Sequence, residues 1–336
     1  MILSESRLLK LVHSFNKSKV AVLGDVGIDR YTSGTVDRIS PEAPVPIVLV
    51  TKETLKLGLA ANVAENIVTL GGLTSIVGVV GKDRNADALK SLFEEKNISS
   101  SGLVADSSRR TILKERIVAE NQQMIRVDYE TLSPLSEKIH SKILTSIQSR
   151  IVRANSLIIE DYAKGLLNEK LTQAVIKKAK EKEIPILVDP NLKSPIEWYS
   201  GCTLLTPNKK EAEFLSKSKI DSFESLDKAG KDIIKKAKAE SLLITLGKDG
   251  MAIFKSEKAK PILIPTFAKE VFDVSGAGDT VIAVLSMALS NGAKLEEAAY
   301  IANLAAGVTV GKRGTATVTK EEILHAYITN PENINR

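Results

Sequence analysis

Residues Asp273–Thr280, DVSGAGDT, place three small residues, Gly276, Ala277 and Gly278, directly before a carboxylate, Asp279, and an apolar run. From Ala277 the pattern AGDTVIAVLSMALSNG reads as a helix apolar on nearly all sides and ended by Asn291-Gly292. Its first turn therefore lies inside the protein. The N–H groups of Gly276, Ala277 and Gly278 lack helical acceptors there, and the positive end of the helix dipole points outward. Buried unpaired donors are costly, so local carbonyls, water or a bound anion must accept from them. Asp279 adds a negative charge to the mouth of a site suited to negative charge.

Other residues could join this chemistry. The segment GDVGIDR sets Asp25 and Asp29 at the carboxyl end of a β-run, where carboxylates can accept from hydroxyls; Asp25 also fits an ordinary turn. In LGLAANVAENIVTLGG, Asn62 fits a helix N-cap or a buried amide. In TPNKKEAE, Glu211 fits a first-turn carboxylate that complements the helix dipole. The alternating run ILKERIV puts Lys114 and Arg116 two apart on one strand face, Arg126 on a returning strand could join them, and Lys164 follows a strand end. Two or three such cations could hold an anionic substrate group. The same alternation fits the solvent face of an edge strand balanced by Glu115 and Glu120. Arg38 fits either a substrate contact or a pairing between two lids.

The elements that must position these residues alternate. KVAVLG (19–24), SIVGVVG (75–81), SLIIED (156–161), IPILVD (184–189), TLLT (203–206) and SLLITLG (241–247) read as buried strands ending in Gly, Asp or Thr. Helical patterns lie between them, near 60–70, 85–96, 134–152, 168–182, 209–217 and 222–239. This order predicts a mainly parallel sheet covered by helices on both faces, with ligands at the carboxyl ends of the strands. Residues 31–56, with three prolines and a β-run, and 109–129, alternating as a hairpin, break the pattern. They read as a small β-sheet lid inserted into one domain spanning 1–336.

Composition excludes several classes. Hydrophobic residues at 43% and charged residues at 26% fit a globular chain. The N-terminus has no long apolar run, and Leu8, Val12 and Phe15 fall at helical spacing, so neither a signal peptide nor a membrane span is expected. A single cysteine, Cys202, excludes an intramolecular disulfide and points to a reducing, cytoplasmic setting. The charge of +6, from 47 basic and 41 acidic residues, lies in helix-like runs such as KKAKEKE without interleaved aromatics, which disfavours nucleic-acid binding. LGDVGID lacks the Gly-rich turn of a dinucleotide site, and no Walker-type loop is present.

DVSGAGDT resembles the second signature of the ribokinase-like (PfkB) family of carbohydrate kinases, D-T-x-G-A-G-D, with Val274 where the family often has Thr. The resemblance implies a ribokinase-like three-layer α/β/α sandwich with an inserted β-sheet lid. It implies ATP and Mg²⁺, an anion hole for the γ-phosphoryl group at Gly276–Gly278, and Asp279 as general base for the attacking sugar hydroxyl. It also implies Asp29 and Asn62 as sugar-hydroxyl contacts, and Asn208 and Glu211 near the nucleotide phosphates, with Glu211 reaching the metal through water. Gly58 stands where the family carries a Gly-Gly pair, flanked here by Leu57 and Leu59. TLGKDG, with Thr245, Gly247 and Gly250, resembles a nucleotide-side loop, Asn303 matches the region lining the adenine pocket, and GKRGTATV (311–318) is the final loop near it. A homodimer through the lid is implied as well.

Within the family, RISPEAPVPIV (38–48), NQQMIRVD (121–128) and DYAKG (161–165) resemble the bacterial heptose-7-phosphate kinases of lipopolysaccharide-core synthesis. That branch phosphorylates the anomeric hydroxyl of D-glycero-β-D-manno-heptose 7-phosphate; the cations placed by alternation and proximity, Lys114, Arg116, Arg126 and Lys164, together with Arg38 and Gly58, are the candidate substrate residues. The three histidines lie far apart, without the H-x-G-H of a partner nucleotidyltransferase, so a standalone kinase is expected. Another sugar kinase of the family is the alternative, and a non-catalytic binding protein is a third reading, favoured only by the lost glycine beside Gly58.

Overall fold

The computed structural model describes residues 3–120, 122–268 and 270–330. In chain order the strands are β1 (Lys19–Gly24), β2 (Val26–Ile39), β3 (Pro46–Leu59), β4 (Leu73–Val80), β5 (Leu103–Ala105), β6 (Ile112–Ala119), β7 (Gln122–Tyr129), β8 (Ser156–Glu160), β9 (Ile186–Asp189), β10 (Leu204–Leu205), β11 (Ser241–Thr245), β12 (Met251–Phe254) and β13 (Ile262–Ile264). The helices are α1 (Glu5–His13), α2 (Ala60–Thr69), α3 (Arg84–Glu95), α4 (Glu137–Ile151), α5 (Glu169–Lys180), α6 (Lys209–Ser216), α7 (Phe223–Ala237), α8 (Ala277–Ser290), α9 (Leu295–Thr309) and α10 (Lys320–Ile328).

A nine-stranded sheet runs β13-β12-β11-β10-β9-β8-β1-β4-β5. From β5 to β11 every pairing is parallel, while β12 and β13 add an antiparallel edge. Both faces are buried, which is why the strands read as continuous apolar runs. Along β1, Val20 and Val22 enter one core while Ala21 and Leu23 enter the other. The helices start where the sequence supplies caps: the side chains of Asp83, Ser136, Asn168, Asn208 and Ser222 each accept a backbone N–H at the third helical position. Helix α8 is buried from Asp279 through Ala288, as its composition predicts. Cys202 is a buried apolar side chain, its thiol pushed up to about 12 by burial. No helix among the described residues is long and apolar enough to cross a membrane.

A second sheet, ordered β3-β2-β6-β7, stands off the first. It begins earlier than the pattern of residues 31–56 suggests, because β2 leaves the large sheet directly after Asp25. The single expected β-run is a pair of 14-residue strands, β2 and β3. Strands β2 and β6 pair in parallel, which brings Asp29 beside Lys114, and β6 and β7 form the hairpin that sets Arg116 opposite Arg126.

Candidate active site

Helix α8 opens at Gly276, whose φ of +80° lies in the left-handed region. A Cβ at Gly276 would stand 2.6 Å from Asn62 Nδ2, so both conformation and space call for glycine. The Ala277 N–H donates to the Val274 carbonyl at 3.2 Å, so three expected free amides become two. Among the described residues, the N–H groups of Gly276 and Gly278 have no acceptor. Asp273 braces the turn: its carboxylate accepts from Ser275 N–H at 2.9 Å and from Gly314 N–H at 3.0 Å, tying the glycines to the 311–318 loop.

Asp279 is buried and held at both oxygens. Asn62 Nδ2 donates to Oδ2 at 2.6 Å and the Tyr162 hydroxyl donates to Oδ1 at 2.7 Å. Asn62 is a buried amide, not a cap, since Leu59 occupies the N-cap of α2. Burial pushes the Asp279 carboxyl up, opposed by the bonds from Asn62 and Tyr162; the charge of Asp29 adds to the rise and that of Lys114 opposes it. Asp25 is also buried. It accepts the Lys164 N–H at 3.1 Å, and burial raises it to about 7. Asp25 therefore anchors the segment that carries Tyr162, a larger role than an ordinary turn residue.

The carboxyl ends of neighbouring strands contribute more acid. Glu160 and Asp189 pair across β8 and β9, and burial raises both carboxyls well above the usual range. One Glu160 oxygen, Oε1, is buried without a partner. Glu211 is raised by burial as well, and its carboxylate closes a capping box: it accepts from Asn208 N–H at 2.8 Å while Asn208 Oδ1 accepts from Glu211 N–H at 3.0 Å. This crowd of desolvated carboxylates fits a divalent cation. Among the described residues no three His, Cys, Asp or Glu side chains stand close enough to cage a metal alone.

The predicted cations divide sharply. Arg116 pairs with Asp29 at 2.7 Å and lies over the Tyr31 ring. Arg126 is spent on Asp128, with contacts of 2.9 and 3.0 Å, and does not join Arg116 despite facing it in register. Lys164 meets Glu130 at 2.7 Å. Lys114 is half-buried and, among the described residues, makes no ion pair; burial and the nearby charge of Lys164 pull its ammonium down. Arg38 lies at the exposed far end of β2, roughly 30 Å along the strand from Asp29 at about 3.3 Å per residue. It does not reach the site within one chain.

On the other side, Thr245 bridges to Asn208, continuing β11 toward the α6 cap. Gly247 has φ +63° and open space where a side chain would stand, which leaves room for a ligand. Gly250, at φ +88°, is required by its own turn, since a Cβ would strike the Ile264 carbonyl. Asn303 is buried and donates to the Pro265 carbonyl at 2.7 Å, so it holds the chain at Pro265, next to Thr266 and Phe267. Thr266, Phe267, Ala268, Glu270 and Phe272, with Leu304, Gly307 and Val308 of α9 and the facing side of α10, line a cavity of about 880 Å³. At the missing-glycine position, the neighbour of Gly58 takes the strain: Leu59 adopts φ +58°, ψ −141°, a conformation rare for a bulky residue, where β3 turns into α2.

Residues 17–322 match the pfkB family of carbohydrate kinases. The bifunctional protein HldE of Aliarcobacter butzleri (strain RM4018) is 45% identical over 307 residues, which cover 91% of this chain and 64% of that protein. HldE of Geobacter sulfurreducens is 44% identical over 303 residues, covering 90% of this chain and 61% of that protein. The chain belongs to the pfkB carbohydrate kinase family. It is a sugar kinase, and membership implies ATP as the phosphoryl donor. Like other ribokinase-like folds it superposes on Arabidopsis thaliana ribokinase, solved with ribose and ATP (TM-score 0.72, 19% identity, 92% of this chain and 98% of that one). It also superposes on Escherichia coli phosphofructokinase-2, solved with potassium (TM-score 0.76, 22% identity, 93% and 100%).

Three residues of this pfkB site were not singled out from sequence: Tyr162, Glu160 and Asp189. The signal for Glu160 and Asp189 was present in the strand ends SLIIED and IPILVD, which place acids at the edge where such sheets bind ligands, whereas Tyr162 lies just beyond the first of them. Nothing in spacing alone shows which acid turns inward.

Proposed function

We propose that the chain transfers the γ-phosphoryl group of ATP to the anomeric hydroxyl of D-glycero-β-D-manno-heptose 7-phosphate, giving the 1,7-bisphosphate. The observation that carries the reading is the doubly held Asp279 carboxylate beside the unfilled Gly276 and Gly278 amides. As the sugar oxygen bonds to Pγ, the Pγ–O bond to ADP breaks, and the hydroxyl proton passes to Asp279. The Gly276 and Gly278 N–H groups donate to the phosphoryl oxygens, while Ala277 serves the turn. Asp29 and Asn62 orient the sugar. Mg²⁺, held by Glu211 and the nucleotide phosphates, would offset the spread negative charge. The nucleobase belongs in the cavity lined by Thr266, Phe267, Ala268, Leu304 and Gly307.

The heptose assignment rests on the resemblance of residues 38–48, 121–128 and 161–165 to heptose-7-phosphate kinases, together with the HldE relatives. It also rests on Lys114, the half-buried cation without an ion pair, as the group that receives the sugar's phosphate. Lys114→Met is expected to raise the KM for the sugar phosphate about 10- to 100-fold, whereas Arg126→Ala changes it less than about threefold, because Arg126 is already neutralised. Equal effects of the two would remove Lys114 from this role. Coupled ADP release across a panel of sugar phosphates tests the substrate; activity on a pentose or hexose but not the heptose would move the chain to another sugar. A homodimer through the far end of the small sheet, where Ile39, Leu49 and Ile125 are exposed, would bring Arg38 against a second lid. A monomer in sedimentation at micromolar concentration would remove that proposal.

A further inference from the structure

The loop after β8 is pinned far more heavily than a strand-to-helix connection requires. The Ala163 N–H donates to Asp161 Oδ1 at 2.7 Å, and Asp161 Oδ2 accepts the Tyr199 hydroxyl at 2.7 Å. The Lys164 N–H donates to Asp25 at 3.1 Å, its carbonyl accepts from Arg109 at 3.3 Å, and its ammonium meets Glu130 at 2.7 Å. Ala163 itself sits at φ +52°, a left-handed conformation that a residue with a side chain keeps only when its surroundings over-determine it. What these anchors deliver is one group, the Tyr162 hydroxyl, 2.7 Å from Asp279 Oδ1.

We propose that Tyr162 is a positioning residue for the transfer step: its hydroxyl fixes the Asp279 carboxylate toward the attacking hydroxyl and weakens that carboxylate's hold on a proton. The inference rests on the reading of Asp279 as the base. Several groups face Asp279: Asn62 from α2, Asp29 from β2, Lys114 from β6, Glu160 from β8 and Asp189 from β9. Only Asn62 and Tyr162 donate hydrogen bonds to it among the described residues. Burial, and then the charge of Asp279, push the Tyr162 phenol well above its usual range, so it stays a donor across the working pH.

A base must be unprotonated to act, so the acid limb of the kcat–pH profile follows Asp279. Removing a donor to the carboxylate favours its protonated form and moves that limb to higher pH. With heptose 7-phosphate and ATP, Tyr162→Phe in the full chain is expected to lower kcat about 100-fold, to move the acid limb upward, and to leave the KM for ATP within about twofold. Replacing Tyr162 with 3-fluorotyrosine keeps the shape, and hence the fold, while strengthening the donor; the limb then moves to lower pH. A purely structural role would lower the rate in the Phe variant and leave the limb fixed in both. A fixed limb, or shifts in the same direction, overturns the proposal, as does a raised KM for ATP with kcat intact. If the parent enzyme turned over no sugar phosphate, the base reading would fall and this inference with it. Normal parental turnover with an unmoved limb removes only the role of Tyr162.

Discussion

Asp279→Asn binds nucleotide as the parent does and transfers phosphoryl about 10² to 10⁴-fold more slowly, the span that a positioned base supplies. The substitution is nearly isosteric. The new amide oxygen can keep the bond from Tyr162, while the new amide nitrogen faces Asn62 Nδ2, which now donates to Oδ2 at 2.6 Å. Asn62 must turn its amide over, which disturbs only the 3.4 Å contact from Asn66 to Asn62 Oδ1; the 2.9 Å bond from Asn66 to the Asn62 carbonyl stays. Stability is not expected to fall. Burial raises the folded-state pKa of Asp279, so the stability it contributes is present at low pH and is lost as pH rises through that raised value. A neutral side chain avoids that loss at neutral and alkaline pH. Single-turnover rates with calorimetric nucleotide binding check this; an Asn variant that transfers at the parental rate would place the base elsewhere.

Gly276→Ala is the second large effect, and its cause is steric. The left-handed φ disfavours any Cβ by about 1 kcal/mol, and this Cβ would stand 2.6 Å from Asn62 Nδ2. Asn62 cannot retreat without releasing Asp279. The variant therefore loses either the turn or the alignment of the base: kcat falls about 100-fold or more, and stability drops by about 1 to 3 kcal/mol. Gly278→Ala is the control. Its Cβ would meet only Asp189 Oδ2, at 3.7 Å, an ordinary contact, so its stability stays within about 1 kcal/mol. Urea midpoints and kcat for both variants decide the matter, and equal losses of stability would refute the argument from the left-handed turn.

The large sheet was legible because a strand buried on both faces writes a continuous apolar run, and because capping residues such as Asn168 and Asn208 mark where helices begin. Strands β5, β12 and β13 were not, since three or four residues carry no period. The glycine turn, Asp279, Asn62 and Asp29 were legible as motif positions. The fate of each cation was not. Alternation places Lys114, Arg116 and Arg126 on one face, yet it cannot say that Asp29 and Asp128 take the two arginines and leave the lysine without an ion pair. Tyr162 stayed hidden for a similar reason: its contact with Asp279 spans 117 residues of chain and depends on the backbone strain at Ala163.

The most direct test of the kinase reading is ³¹P NMR of the chain incubated with ATP, Mg²⁺ and D-glycero-β-D-manno-heptose 7-phosphate. The account predicts one ADP formed per new anomeric phosphate, with the 7-phosphate resonance retained and the product formed about 10² to 10⁴-fold more slowly with Asp279→Asn. ATP left intact beside unchanged heptose 7-phosphate, or a new phosphate formed equally well by the Asn variant, would contradict it.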